Sequence, residues 1–354
     1  MIELILKKLS KKVKQGFLSY SLGLILNKEK NVCTKIAEAL DIRHDFLYRF
    51  LVKAKAFLSF FPSLMLLVVK CFDQSRSWII IDDTTLLKAF AKKLLGVYTV
   101  FNTALGRPDR GLCIVVIAWT NGHVTIPLRF LFYYSKDITG DSFKTKSQLA
   151  KELLIKLFEK IPFEALLIDG HYTTQHLIKF LMQSNTNFTG KIARNRVIET
   201  KNGLRTRIDN HPSLKLFKNQ RQAKVYAKFG GEWLYFSVHK RKNKTGVWTY
   251  LYLVSNMNLK SKEYFYHYDM RWNIEPIFRT SKQSLGFQDC ESIDIEKQSL
   301  HIYSIFFSYA FLQKEKVEYN LKNPETAIKN LSALKTNVAM SRIVAFSQNF
   351  DHVA

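Results

Sequence analysis

Two apolar runs in this chain end in acids. Trp78, Ile79, Ile80 and Ile81 lead into Asp82 and Asp83, followed by Thr84 and Thr85. Ala165, Leu166, Leu167 and Ile168 lead into Asp169 and Gly170. Each run has the length and composition of a buried strand, so the acids fall at strand ends. A third acid, Glu275, lies in a segment that also holds Tyr268, Arg271 and Lys282. The spacings are three, four and seven. On one continuous helix at about 100° per residue, they would keep the four side chains within about 60° of one another. Converging carboxylates repel unless a cation sits between them. Their hard oxygens favour magnesium or manganese over zinc. Two such ions about 4 Å apart can activate a water or a 3′-hydroxyl and stabilise the leaving oxygen of a phosphodiester.

Each feature also has a plainer explanation. Strand-end aspartates are common in α/β enzymes. Arg271 and Glu275 could form a surface i, i+4 ion pair worth a few tenths of a kcal/mol. Pro276 disfavours helix at Glu275, so the shared face requires a kink or a helix start there. Asp82 and Asp83 point to opposite faces of a strand, so one of the two is the ligand. Both fit an Asp-x-Thr pattern. Asp83 is preferred because it keeps Asp-Thr-Thr together, with Asp82 as the alternative.

These acids need a scaffold. Residues 1–72 are basic and helical in pattern, with a possible helix-turn-helix at 34–51. Its apolar face would be Ile36, Leu40, Leu47, Phe50 and Leu51, and it would present Arg43, His44, Tyr48 and Arg49. Gly111–Thr120 and Val124–Phe132 flank an Asn-Gly turn and predict a hairpin. Ser147–Glu159 predicts an amphipathic helix, and a further helix should follow Asp169 through Met182. About 190–258 alternates and is rich in basic and aromatic residues, which predicts a β-rich insertion with long strands either side of Lys240–Gly246. Lys262–Ser284, Ser299–Lys316 and Pro324–Phe346 have helical patterns, the last within a C-terminal tail of 319–354.

The segment Tyr268–Lys282 resembles the Tyr-Arg-Glu-Lys signature of bacterial DDE transposases of the insertion-sequence-four type. Ile81–Thr85 resembles that family's first-aspartate motif and Leu167–Gly170 its second. The resemblance spans roughly residues 77–315. It implies an α/β fold: an RNase H-like catalytic core, 77–318 with its β-rich insertion, preceded by a helical DNA-binding domain. It implies catalytic, metal-holding carboxylates at Asp83 (or Asp82), Asp169 and Glu275, with two magnesium or manganese ions. Tyr268, Arg271 and Lys282 would hold element-end phosphates. The expected activity is 3′-end cleavage and strand transfer by a cut-and-paste route. The expected partners are double-stranded DNA, both terminal inverted repeats and target, and a second copy in a homodimeric synaptic complex. An inactive remnant that binds element ends, or another RNase H-like nuclease, are the alternatives.

Composition agrees with a nucleic-acid partner. Lys and Arg number 54 against 29 Asp and Glu, a net charge of +25, which attracts polyanions. Four separated cysteines suggest neither a zinc site nor a disulfide framework. No run approaches a membrane span, and Met1–Lys14 lacks a signal-peptide pattern, so a cytoplasmic, nucleoid-associated protein is expected. Trp233 and Trp248 are strand residues that could stack on an unpaired base, Trp248 being the DNA-binding candidate. Lys240–Lys244 is a solvated basic turn that could also hold phosphates. His171 and His176 are five apart and are incidental rather than ligands. The end, Asp351–Ala354, has no interpretable motif.

Overall fold

The computed structural model describes residues 10–348 apart from 90, 92, 103–104, 158–159 and 243–244. Within the segments discussed above, the first nine residues, Glu159, Asn243 and Lys244 of the basic turn, and Asp351–Ala354 lie outside the described residues. Along the chain come α1 (Lys11–Leu26), α2 (Cys33–Leu40), α3 (His44–Lys53) and α4 (Phe61–Lys70), then β1 (Trp78–Leu87), β2 (Tyr98–Asn102), β3 (Arg107–Thr120) and β4 (Thr125–Tyr133). Next are α5 (Lys146–Ile155), β5 (Ala165–Ile168), α6 (Gln175–Gln183) and β6 (Phe188–Lys191). The insertion supplies β7 (Val197–Glu199), β8 (Arg205–Arg207), β9 (Gln222–Phe229), β10 (Glu232–Lys242) and β11 (Trp248–Ser255). Five helices follow: α7 (Ser261–Arg271), α8 (Ile274–Ser284), α9 (Ile295–Glu318), α10 (Pro324–Ser332) and α11 (Thr336–Gln348). The architecture is mixed α/β with a large mixed sheet. Contacts divide it into two compact units. The first is the described part of Met1–Ser75, Asp83–Phe143 and Ile274–Ala354; the second is Arg76–Asp82 and Lys144–Asn273.

In the first unit, the N-terminal helices pack with the C-terminal ones: α1 lies against α9, α10 and α11 as well as α2 and α3. The residue-72 boundary expected for a separate helical domain therefore falls inside this unit. Phe17 sits with ring centroids 4.8 Å from Phe307 and 5.1 Å from Phe61, contacts that each add about 0.5–1.5 kcal/mol beyond area burial. Close approach of α2 to α1 depends on Gly23, where a Cβ would lie 2.2 Å from Ile36 Cγ2. All five residues of the expected apolar face on α2 and α3 are buried. His301 is wholly buried between Tyr20 and Gly286. A carbonyl can only accept, so Nε2–H donates to Gly286 O at 2.8 Å and Nδ1 accepts from the Tyr20 hydroxyl at 2.9 Å. Burial pushes its pKa down to about 3, so the ring is neutral at neutral pH. The β3–β4 hairpin turns where expected, with Asn121 Oδ1 accepting from the backbone N–H of His123 and Val124.

The second unit is built on a parallel trio. The first half of β1 pairs with β5 from Trp78↔Ala165 to Ile81↔Ile168, and β5 pairs with β6. Residues 78–81 and 165–168 are fully buried, as strands covered on both faces must be. Parallel strands need a crossover, and α6 supplies it between β5 and β6. Beyond β6 the sheet becomes antiparallel, β11, β10, β9, β7 and β8 following in that order.

The expected helix over Lys262–Ser284 is two helices, broken at Trp272–Asn273. Pro276 is the third residue of α8, where its missing N–H costs no intrahelical bond. Tyr268 and Arg271 therefore lie on one helix, Glu275 and Lys282 on the next. Pro324–Phe346 likewise divides into α10 and α11. Among the described residues no single helix is long and apolar enough to cross a membrane.

Candidate active site

Parallel register decides which first aspartate meets the second. Ile81 is paired with Ile168, so the next residues, Asp82 and Asp169, come side by side where the pairing stops; β5 ends there, but β1 runs on to Leu87, so Asp82 lies within its strand and not at the expected strand end. Gly190 of β6 keeps this corner tight. A Cβ there would lie 2.6 Å from Ile168 Cγ1 and 2.7 Å from Thr173 Cγ2, the residues on either side of the Asp169 turn. That turn is closed by Tyr172 N–H donating to Asp169 O at 2.9 Å and Thr173 Oγ1 donating to Gly170 O at 3.0 Å.

Arg271, the last residue of α7, points at both acids. Its Nη1 is 3.2 Å from Asp82 Oδ2 and its Nη2 is 3.9 Å from Asp169 Oδ1. The arginine side chain is 7% exposed, against 23% and 25% for the two aspartates. The cation is thus buried, while both carboxylates keep a solvent-facing side. The helix is held to the sheet by His267 Nδ1, 3.0 Å from Thr189 Oγ1, and by Tyr264, whose hydroxyl donates to Tyr235 O. Arg271 also lies 5.6 Å over the Tyr268 ring and 4.8 Å over Trp272, and Arg241 lies 5.1 Å over Tyr268. Tyr268 is buried, so it and Arg271 are engaged with protein groups rather than presented to solvent.

Asp83 takes the other side of β1. Its Oδ2 accepts from Cys113 Sγ at 3.7 Å in the first unit. Also in that unit, Glu275 is exposed in the first turn of α8, where an acid suits the helix dipole. Lys282, near the end of α8, lines a cleft of about 620 Å³ with Lys28, Lys329, Glu29 and Asp289, and burial pushes its pKa down. Arg43 and Arg49 are exposed on and before α3, and both pair with Asp45. His171 and His176 are exposed.

In the insertion, Trp248 is 39% exposed and ringed by cations: Arg221 at 4.3 Å, Lys240 at 5.2 Å and Lys242 at 5.4 Å from the ring centroid. Register explains the cluster, since Lys242 lies opposite Trp248 and Lys240 opposite Tyr250 on the same face. Arg221 carries no sequence signal of its own, and Arg241 belongs to the basic Lys240–Lys244 run, whose first three residues are the end of β10. Strand alternation puts Arg241 on the Tyr235 and His239 face, a signal that needed the register to be used.

Among the described residues, no three His, Cys, Asp or Glu side chains are grouped so as to hold an ion. The paired carboxylate oxygens of Asp82 and Asp169 are of the kind that suits magnesium or manganese.

Residues 5–212 match the family described as DDE superfamily endonuclease. The chain belongs to that family. The matched span covers more than half of the chain, includes Asp82, Asp83 and Asp169, and ends before Glu275. Among curated proteins, none matches. The chain is thus a nuclease- or transposase-type enzyme of the DDE superfamily, whose members generally act on DNA with divalent metal ions.

Proposed function

We propose that this DDE endonuclease is a DNA transposase that cuts the 3′ ends of its own insertion element and joins them to target DNA. The observation that carries the proposal is one buried guanidinium shared by Asp82 and Asp169 where the parallel pairing of β1 with β5 ends. The trio β1–β5–β6, with an acid within β1 and another just after β5 where their pairing ends, supports an RNase H-like core. Asp82 is preferred to Asp83 because it shares Arg271 with Asp169, whereas Asp83 faces Cys113. Glu275 joins the set on its motif, four residues after Arg271.

Asp82, Asp169 and Glu275 would hold magnesium or manganese, as a pair of ions, which when bound neutralises the phosphodiester and acidifies an attacking water. Arg271 holds the two aspartates toward one another and offsets their repulsion. Trp248, within its ring of cations, is suited to stack an unpaired base beside bound phosphates. Lys282, beside Lys28 and Lys329 in its cleft, is suited to an element-end phosphate. Arg43 and Arg49 of the α2–α3 pair are the groove-reading candidates, and two copies would bridge the two element ends.

Strand transfer separates a transposase from a simple nuclease. A labelled duplex carrying the element's termini, incubated with plasmid and magnesium, should become covalently joined to the plasmid. Cleavage without any joined product would reduce the assignment to a nuclease, and end binding without cleavage would mark an inactive copy.

A further inference from the structure

Four strands of the insertion contribute one cross-strand row. Arg205 of β8 lies opposite Glu199 of β7, Glu199 opposite Lys228 of β9, and Lys228 opposite Trp233 of β10. Residues facing each other across neighbouring strands share a face, so the row runs cation, acid, cation, indole. Tyr226 stacks on Trp233 with centroids 5.3 Å apart, and Lys201 Nζ lies 5.8 Å over Tyr226. This face is opposite the one that carries Trp248, because Trp233 and Lys242 are an odd number of residues apart on β10.

Beside the row opens a cleft of about 490 Å³ lined by Arg196, Glu199, Arg205 and Lys228, with Gln175 and the Gly230–Gly231 turn. The turn joins paired Phe229 and Glu232 with φ +59° and +96° at the two glycines. A Cβ at Gly230 would lie 2.6 Å from Gln175 Cγ, while one at Gly231 meets nothing within 4 Å. The turn therefore packs on the start of α6 at one glycine and is open at the other. Three cations against one acid leave a positive surplus in a concave site, which focuses the field on an anion. Arginine forks match phosphate oxygens in particular.

We infer that this cleft is a phosphate site for the backbone of duplex DNA, separate from the carboxylate centre, with Arg196, Arg205 and Lys228 as its ligands and Glu199 moderating its affinity. It rests on the DNA-acting reading above. The test is binding of a labelled duplex by the full chain across a salt series. Arg196→Ala/Arg205→Ala/Lys228→Ala should reduce the steepness of log K against log salt by nearly 3, at about 0.9 per lost phosphate contact. Glu199→Gln, which leaves the cations in place, should tighten binding a few-fold. An unchanged slope in the triple variant, or weaker binding by Glu199→Gln in a folded chain, would overturn the cleft while the native chain still bound DNA. Absence of duplex binding by the native chain would instead overturn the DNA-acting reading, and the cleft with it.

Discussion

Asp82→Asn should lower divalent-dependent DNA cleavage by about 1,000-fold or more, ~4 kcal/mol of barrier, whereas Asp83→Asn should leave it near the native level. Asparagine keeps the shape of aspartate but removes the charge that a metal ion requires. The two variants differ in which face of β1 they alter. Asp82 follows the last β1–β5 pair, as Asp169 does, and meets Arg271 at 3.2 Å; Asp83 accepts a thiol hydrogen bond from Cys113. Both should keep native thermal stability within a few degrees, so the comparison reads chemistry rather than folding. Loss of cleavage in Asp83→Asn with retention in Asp82→Asn would return the first-ligand role to Asp83.

The second large effect is on stability. Arg271 is buried and engages two carboxylates. Breaking such an arrangement at the cation leaves the acids facing each other uncompensated. The cost for a fully buried pair is about 3–5 kcal/mol. The solvent-facing sides of Asp82 and Asp169 screen part of it, so Arg271→Met should lose roughly 2–4 kcal/mol in urea unfolding without divalent ions. Magnesium should recover more stability in this variant than in the native chain, because it replaces a missing positive charge. Arg271→Lys keeps the charge but not the fork that spans two carboxylates, and should fall between. An Arg271→Met chain as stable as the native one, with no added response to magnesium, would remove Arg271 from the site.

The parts legible in the sequence are those that a local pattern determines. Apolar runs ending in acids marked β1 and β5, and the Asn-Gly turn marked the β3–β4 hairpin. Alternation marked β10 and β11 close to their observed ends. Other features depend on register. Adjacent residues Asp82 and Asp83 carry the same local signal, and the β1–β5 pairing is what separates them. Helical spacing grouped Arg271 with Lys282 on one helix face, to which the resemblance gave a phosphate-holding role; the chain breaks after Arg271, at Trp272–Asn273, so the two lie on different helices. Proline three residues into a helix is permitted, so Pro276 was compatible with either a kink or a fresh start. Packing of α1 against α9 was likewise hidden, since an amphipathic helix does not name its partner.

The most direct test of the carboxylate centre is cleavage of a labelled duplex bearing the element's terminal repeats, by the native chain and by Glu275→Gln, with and without magnesium or manganese. The native chain should nick at the repeat boundary in the presence of the metal and Glu275→Gln should not, although both bind the duplex. Undiminished nicking by Glu275→Gln, or native nicking that needs no divalent ion, would contradict the carboxylate centre.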